Sequence, residues 1–125
     1  MKEVSYVHSE AYAAGELKHG TISLIEDGTL VIGVLTQSHL CEKTLSNMQE
    51  VKSRGAYLMG VAENGSYYLE DMVDFVVYVP KTDPHFTTTL AIIPLQLMGY
   101  YVSVARGLDV VGAGIYAFLN RLLIP

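Results

Sequence analysis

Three short apolar runs, each bounded by turn-forming residues, constrain the fold of this chain more than any other feature of its sequence. They are rich in β-branched residues and are too short to be independent helices, which is typical of strands buried on both faces. Turn formers such as Asp27-Gly28, Asn64-Gly65 and Pro80 separate them from the rest of the chain. The runs are Thr29–Leu35, Ala56–Ala62 and Asp74–Val79.

An amphipathic helix is predicted between the first two runs, from Ser38 to Arg54. Apolar residues recur there at steps of three and four, from Leu40 to Val51. The Ser38 hydroxyl can accept a backbone N–H as an N-cap, and Gly55 ends the pattern.

A second, longer helix is predicted from Asp83-Pro84 to about Arg106, with Pro94 bending it. Strand, helix, strand, strand and helix, with doubly buried strands, indicate an α/β fold with a mainly parallel sheet. Apolar residues surround this last helix on nearly every side, so we expect it to be sandwiched between other elements. Three strands cannot cover it, and we expect a second copy or the C-terminal segment to cover its surface near Ile92, Leu95 and Tyr100.

The same helix raises the question of a membrane span. No charged residue occurs from Phe86 through Ala105, which is about the length that a bilayer requires. Polar residues interrupt the stretch, among them Thr87, Gln96 and Ser103, and they favour a buried helix and no membrane association.

Composition narrows the class of protein further. A chain of 125 residues corresponds to one ordinary domain. The 8 basic and 13 acidic residues give a net charge of −5, which argues against a nucleic-acid partner. Cys41 is the one cysteine, so neither an intramolecular disulfide nor a cysteine-based metal site can form. Without a recognisable signal peptide, a cytoplasmic location is the simplest interpretation.

Candidate functional residues concentrate between Glu3 and Gly20, where carboxylates and histidines alternate with small residues. Neither His8 with Glu10 nor Glu16 with His19 has the spacing of an established metal motif, so we predict no metal. No glycine-rich phosphate loop or G-x-S-x-G motif is present, and Cys41 falls on the buried face of its helix. The alternative for Glu16 is a solvated helix face, and for His19 it is a histidine at a helix C-terminus.

The string KEVSYVHSEAYAAGELKHG, at Lys2 to Gly20, resembles the isomerase part of glutamine–fructose-6-phosphate aminotransferases, also called glucosamine-6-phosphate synthases. The resemblance continues through EVKSRGA, at Glu50 to Ala56, and IPLQLMGYYVSVARGLDV, at Ile93 to Val110. That part of the family holds two sugar-isomerase (SIS) domains, and this chain resembles most of the second. The resemblance therefore implies a flavodoxin-like three-layer α/β sandwich, truncated at its N-terminus, over residues 1–110, and a divergent apolar tail over residues 111–125.

The resemblance also implies a function. In the family, ammonia from glutamine adds to open-chain fructose 6-phosphate, and a proton moves from C1 to C2 to give glucosamine 6-phosphate. Glu3 resembles the general base of that transfer, and His19 resembles the histidine that assists ring opening at the neighbouring subunit's site. A phosphosugar ligand, a homodimer and no cofactor are the corresponding expectations.

Two departures from the family pattern qualify these expectations. The family's Schiff-base lysine lies in a C-terminal tail, whereas this sequence has no lysine beyond Lys81 and continues after Val110 with VGAGIYAFLNRLLIP. Thr21 stands where the family usually has proline. We therefore expect the isolated chain to be inactive. A non-catalytic SIS module that binds a phosphosugar or a partner, and a related SIS isomerase or deglycase, remain as alternatives.

Overall fold

The computed structural model, which describes residues 1–110 and 112, contains a three-stranded parallel sheet. The strands are β1 (Leu30–Val34), β2 (Tyr57–Glu63) and β3 (Phe75–Val79), in the order β1-β2-β3. In the register of the first pair Gly33 lies opposite Gly60. The predicted parallel α/β architecture is confirmed.

The helices are α1 (Lys2–Ser5), α2 (Ser38–Lys52) and α3 (Pro84–Ala105), and 3₁₀ turns cover Glu16–Lys18, Thr21–Leu24 and Tyr67–Asp71. Both long helices begin at the predicted positions. The Asp83 carboxylate accepts the His85 N–H at 2.9 Å and caps α3 as expected. The predicted cap of α2 is wrong, because Ser38 is the first helical residue and Gln37 occupies the N-cap without a side-chain bond.

The chain divides into two compact units, one of residues 12–92 and one that combines residues 1–11 with the chain from Ile93 onward. In the larger unit, α2 packs on the sheet through Cys41, Leu45, Met48 and Val51, all of which are buried. A Cβ atom added at Gly33 would overlap the Met48 Sδ atom, so the glycine lets α2 approach β1 closely.

Burial on both faces holds for β2 but not for its neighbours, which corrects the sequence prediction for β1 and β3. Five consecutive β2 residues, from Leu58 to Ala62, are buried. By contrast Leu30 and Val34 of β1 and Phe75 of β3 remain about half exposed. Both outer strands lie at sheet edges, where one side has no neighbouring strand in the described chain to cover it.

The start of β3 is tied to the other elements by Asp74. Its carboxylate accepts the Leu58 N–H at 2.7 Å and pairs with the Lys52 ammonium at 3.1 Å. The hydrogen bond from Leu58, and then the bond and charge of Lys52, hold the pKa of Asp74 below its ordinary value. One carboxylate thus joins β2, β3 and the last turn of α2.

The prediction that α3 is sandwiched is wrong for the described chain. The buried α3 residues are small or polar, namely Thr87, Ala91, Gly99 and Ser103. Most of the large apolar side chains point the other way and are about half exposed, among them Ile93, Leu97 and Tyr100. Among the described residues α3 also has the length and apolar composition of a membrane-crossing helix. The core helices of soluble proteins can have the same length and composition. The predicted apolar tail over residues 111–125 lies, apart from Gly112, outside the described residues.

Candidate active site

Glu3 lies in the first turn of α1, and its side chain is exposed. Two bonds from α3 and the residue that follows it hold this short helix. The Ser103 hydroxyl lies 2.8 Å from both the Val4 carbonyl and the Gly99 carbonyl of its own helix and shares its one proton between them. The Arg106 guanidinium donates to the Ser5 carbonyl at 2.9 Å. Because four residues cannot sustain a helix by themselves, these bonds to its last carbonyls fix the position of Glu3.

The residue after α1 shows that its exit is constrained. Tyr6 has a φ of 52° and a ψ of 27°, the left-handed conformation that terminates helices but is uncommon for a residue other than glycine. The Ser5 side chain is fully buried and donates to the Met1 carbonyl at 2.7 Å. The turn that carries Glu3 is therefore closed by specific contacts at both of its ends.

A second carboxylate of this unit, Glu10, has a different environment. It bonds to the Lys2 ammonium, and His8 lies 3.5 Å away. The hydrogen bond and charge of Lys2, followed by the charge of His8, hold the pKa of Glu10 below its ordinary value. A carboxylate held ionised in this way is a weaker proton acceptor than one without a cationic partner.

His19 belongs to the larger unit, where it follows the 3₁₀ turn Glu16–Lys18 and is exposed. Its N–H donates to the Glu16 carbonyl at 3.0 Å. Lys18 pairs with Glu50 of α2 at 2.7 Å, and the side-chain amide of Asn47 donates to the Ala14 carbonyl at 3.0 Å. The segment before His19 is thus attached to the side of α2 that carries Asn47 and Glu50.

Thr21 closes the segment after His19, at the position where the family usually has proline. Its hydroxyl donates to the Leu17 carbonyl at 3.1 Å, and Leu17 packs against the core. Gly20 between them has a φ of 128°, which a residue with a Cβ atom rarely adopts. The Thr21 hydroxyl therefore closes a defined turn after His19.

Two further possibilities considered from the sequence are a metal site and a reactive Cys41. Among the described residues no group of three or more histidine, cysteine, aspartate or glutamate side chains could hold a metal ion. Cys41 is buried, as predicted, and its sulfur lies 3.4 Å from the Tyr68 hydroxyl. A buried thiol in this position contributes to core packing and does not act as a nucleophile.

Sequence reasoning missed the residues that support the candidate site. Ser103 and Arg106 are about a hundred positions from the carbonyls that they bind, and Asn47 is 33 positions from Ala14. No local pattern records a contact over such a distance. The one available signal is that Ser103 is a polar residue inside an uncharged, apolar helix, where a buried hydroxyl needs a partner.

The parallel sheet with α2 packed on it places the chain among the α/β domains. The exposed acid–base side chains Glu3 and His19 lie in short segments that precede β1. Within that class a family model described as SIS domain matches residues 1–106. The chain belongs to the SIS domain family.

Individual relatives agree with this assignment. Over 110 residues the chain is 54% identical to glutamine–fructose-6-phosphate aminotransferases of Caldanaerobacter subterraneus and of Clostridium tetani. The matches cover 88% of this chain but 18% of either relative. Among solved structures, the C-terminal domain of the Francisella tularensis glucosamine-fructose-6-phosphate aminotransferase has a TM-score of 0.77 and 35% identity, with coverage of 87% of this chain and 31% of that one. The resemblance identified from the sequence is confirmed at the level of domain and family.

Proposed function

We propose that this chain is the isomerase-type SIS domain of a glucosamine-6-phosphate synthase and contributes Glu3 and His19 to the active site. The observation that carries the proposal is the 54% identity to two glutamine–fructose-6-phosphate aminotransferases. The environment of Glu3 is consistent with a general base. It is an exposed carboxylate on a turn fixed by bonds from Ser103 and Arg106, whereas neighbouring Glu10 is engaged by Lys2.

The proposed reaction is a proton transfer within a phosphosugar. Glu3 removes the C1 proton of the adduct that ammonia forms with open-chain fructose 6-phosphate, and it returns a proton at C2. This transfer converts the ketose skeleton to the aldose skeleton. His19 assists opening of the sugar ring, since imidazole can both donate and accept a proton near neutral pH. No cofactor is needed for this step.

The remaining parts of the proposal concern partners and location. We expect a homodimer in the cytoplasm, with a phosphosugar as ligand and neither nucleic acid nor membrane as partner. The net charge of −5 supports the exclusion of nucleic acid. We also propose that residues 1–110 are the SIS part and that the apolar sequence of residues 111–125 diverges from the family. The 125-residue chain alone should make no glucosamine 6-phosphate, because the family's lysine has no counterpart in it.

A chimaera tests the function. Residues 1–106 of this chain replace the matching segment of the Caldanaerobacter subterraneus relative, and formation of glucosamine 6-phosphate is followed. We expect activity, and Glu3→Gln should lower kcat by about 10²–10⁴ with KM little changed, the range typical of a lost acid–base group.

Glu10→Gln is the matched control, because it removes an exposed carboxylate from the same segment and should retain activity within a few-fold. Equal kcat values for the Glu3→Gln chimaera and its parent would reject Glu3 as the base. An inactive parent chimaera that still binds fructose 6-phosphate would favour a non-catalytic SIS module.

A further inference from the structure

Ser5 connects the turn that carries Glu3 to the chain just after α3, within one compact unit. Its N–H and its hydroxyl both donate to the Met1 carbonyl, at 2.9 and 2.7 Å, and close the single turn of α1. Its carbonyl accepts the Arg106 guanidinium at 2.9 Å. Since Glu3 lies inside the closed turn, Arg106 acts on the backbone of Glu3 through Ser5.

The bond from Arg106 is the stronger of the two side-chain bonds that hold α1. A bond from a guanidinium to a carbonyl is charge-assisted, and such bonds are about twice as strong as neutral ones. The Ser103 hydroxyl has one proton, which it shares between the carbonyls of Val4 and Gly99. Loss of the guanidinium should therefore release α1 further than loss of the hydroxyl.

The backbone next to Arg106 has a defined conformation. The Leu108 N–H donates back to the Ser103 carbonyl at 3.0 Å. Gly107, between them, has a φ of 69°, the left-handed conformation with which glycine commonly ends a helix. The Arg106 side chain thus extends towards α1 from a fixed helix end.

Helix α1 is attached at two separate points. Ser103 and Arg106 are three positions apart, so their side chains leave the same side of the helix end. They bind the consecutive carbonyls of Val4 and Ser5. One bond alone would let α1 rotate about it, whereas two bonds prevent that rotation. A helix of four residues is about 6 Å long and has no second turn to absorb a shift, so a displacement at Ser5 also moves Glu3.

We propose that Arg106 is a positioning residue for the Glu3 general base, with Ser103 as its weaker partner. This inference deepens the function proposed above and rests on it. The guanidinium binds a backbone carbonyl and acts on the reaction only through the placement of Glu3. Misplacement of a catalytic group by about 1 Å can lower a rate by about 10²-fold.

Kinetics of the chimaera described above test the assignment. Arg106→Met keeps an unbranched stem but has no donor, and it should lower kcat by about 10–100-fold with KM for fructose 6-phosphate within about three-fold. Arg106→Lys restores a charged donor, and since one N–H makes the bond, kcat should return to within about five-fold of the parent. Arg54→Met is the matched control, because it removes the other described arginine from the end of α2, and it should leave kcat within about two-fold.

A second background separates positioning from general stability. The Glu3→Gln chimaera has no base to position, so Arg106→Met should lower its residual kcat by less than about three-fold. A residue that merely stabilised the fold would lower kcat by the same factor in both backgrounds. Circular dichroism verifies the folding of each variant. Arg106→Ser, whose side chain is too short to reach Ser5, takes the place of a methionine variant that does not fold.

The possible results separate this inference from the function on which it rests. Equal kcat values for Arg106→Met and the parent, with Glu3→Gln still impaired, would overturn the positioning role and leave the proposed function intact. An equal loss in both backgrounds, or no recovery with Arg106→Lys, would do the same. An inactive parent chimaera, or a Glu3→Gln chimaera as active as its parent, would overturn the proposed function and this inference together.

Discussion

The close approach of α2 to β1 makes Gly33→Ala a sensitive test of the packing described above. The new Cβ atom would overlap the Met48 Sδ atom and lie 2.7 Å from its Cε atom. Favourable contacts need about 3.5–4 Å, so the end of the methionine side chain must retreat by roughly 1 Å or more. Met48 is 3% exposed and has little room to move.

The magnitude follows from two opposing effects. Overpacking a well-packed core costs about 1–3 kcal/mol. Replacing glycine by alanine reduces the entropy of the unfolded chain and returns about 0.4–1 kcal/mol. We expect a net loss of about 1–2 kcal/mol in the free energy of unfolding, measured by urea denaturation with an unchanged m value.

Gly60→Ala is the matched control, because Gly60 pairs directly with Gly33 across the sheet and its nearest neighbour, a Leu35 methyl carbon, is 3.4 Å from the added atom. It should change stability by less than about 1 kcal/mol. In a Met48→Ala background Gly33→Ala should become neutral or stabilising, a coupling of about 1–3 kcal/mol. If the loss persisted undiminished in that background, the Met48 contact would not be its cause.

Two further substitutions test the other contacts. The pKa of Asp74 is held below 3.8, chiefly by the Leu58 N–H, so its ionised form contributes stability above that pH and loses it as the pH falls through the lower folded-state value. Asp74→Asn should therefore be less stable than wild type at about pH 7, and urea titrations at decreasing pH should show the difference closing below about pH 4; a constant difference would contradict the linkage. Ser103→Ala leaves the Val4 carbonyl without its donor and should cost about 1–3 kcal/mol, with faster amide exchange in α1, whereas unaltered exchange there would show that the hydroxyl does not hold the helix.

Local patterns were sufficient to predict the three strands and the two long helices, but not α1 or the 3₁₀ turns. The runs that became β1, β2 and β3 were found within two residues of their ends, because turn formers bound each of them. Asp83-Pro84 predicted the start of α3 at the position where the capping bond forms. These signals act over a few residues, and the observed element boundaries agree with them.

Predictions that needed tertiary information were less successful. Periodicity could not distinguish the central β2 from the edge strands, since apolar content is similar in all three runs. The apolar circumference of α3 predicted burial on every side, but only its small residues became buried. The positions of Glu3 and His19 came from family resemblance, whereas Ser103 and Asn47, which support their segments, act across long sequence separations that no window covers.

The all-parallel order of the strands has a consequence for how the chain folds. A parallel pair cannot begin from a tight hairpin, so no ladder hydrogen bond forms until a long loop has closed. The loop between β1 and β2 contains all of α2 and is longer than the one between β2 and β3, but each doubling of loop length adds only about 0.6 kcal/mol. The loop-closure costs of the two strand pairs are therefore similar, and we expect apolar segments to collapse before either pair forms. During that interval unpaired strands and the apolar side chains of α3 are exposed together, which favours aggregation of the folding chain at high concentration.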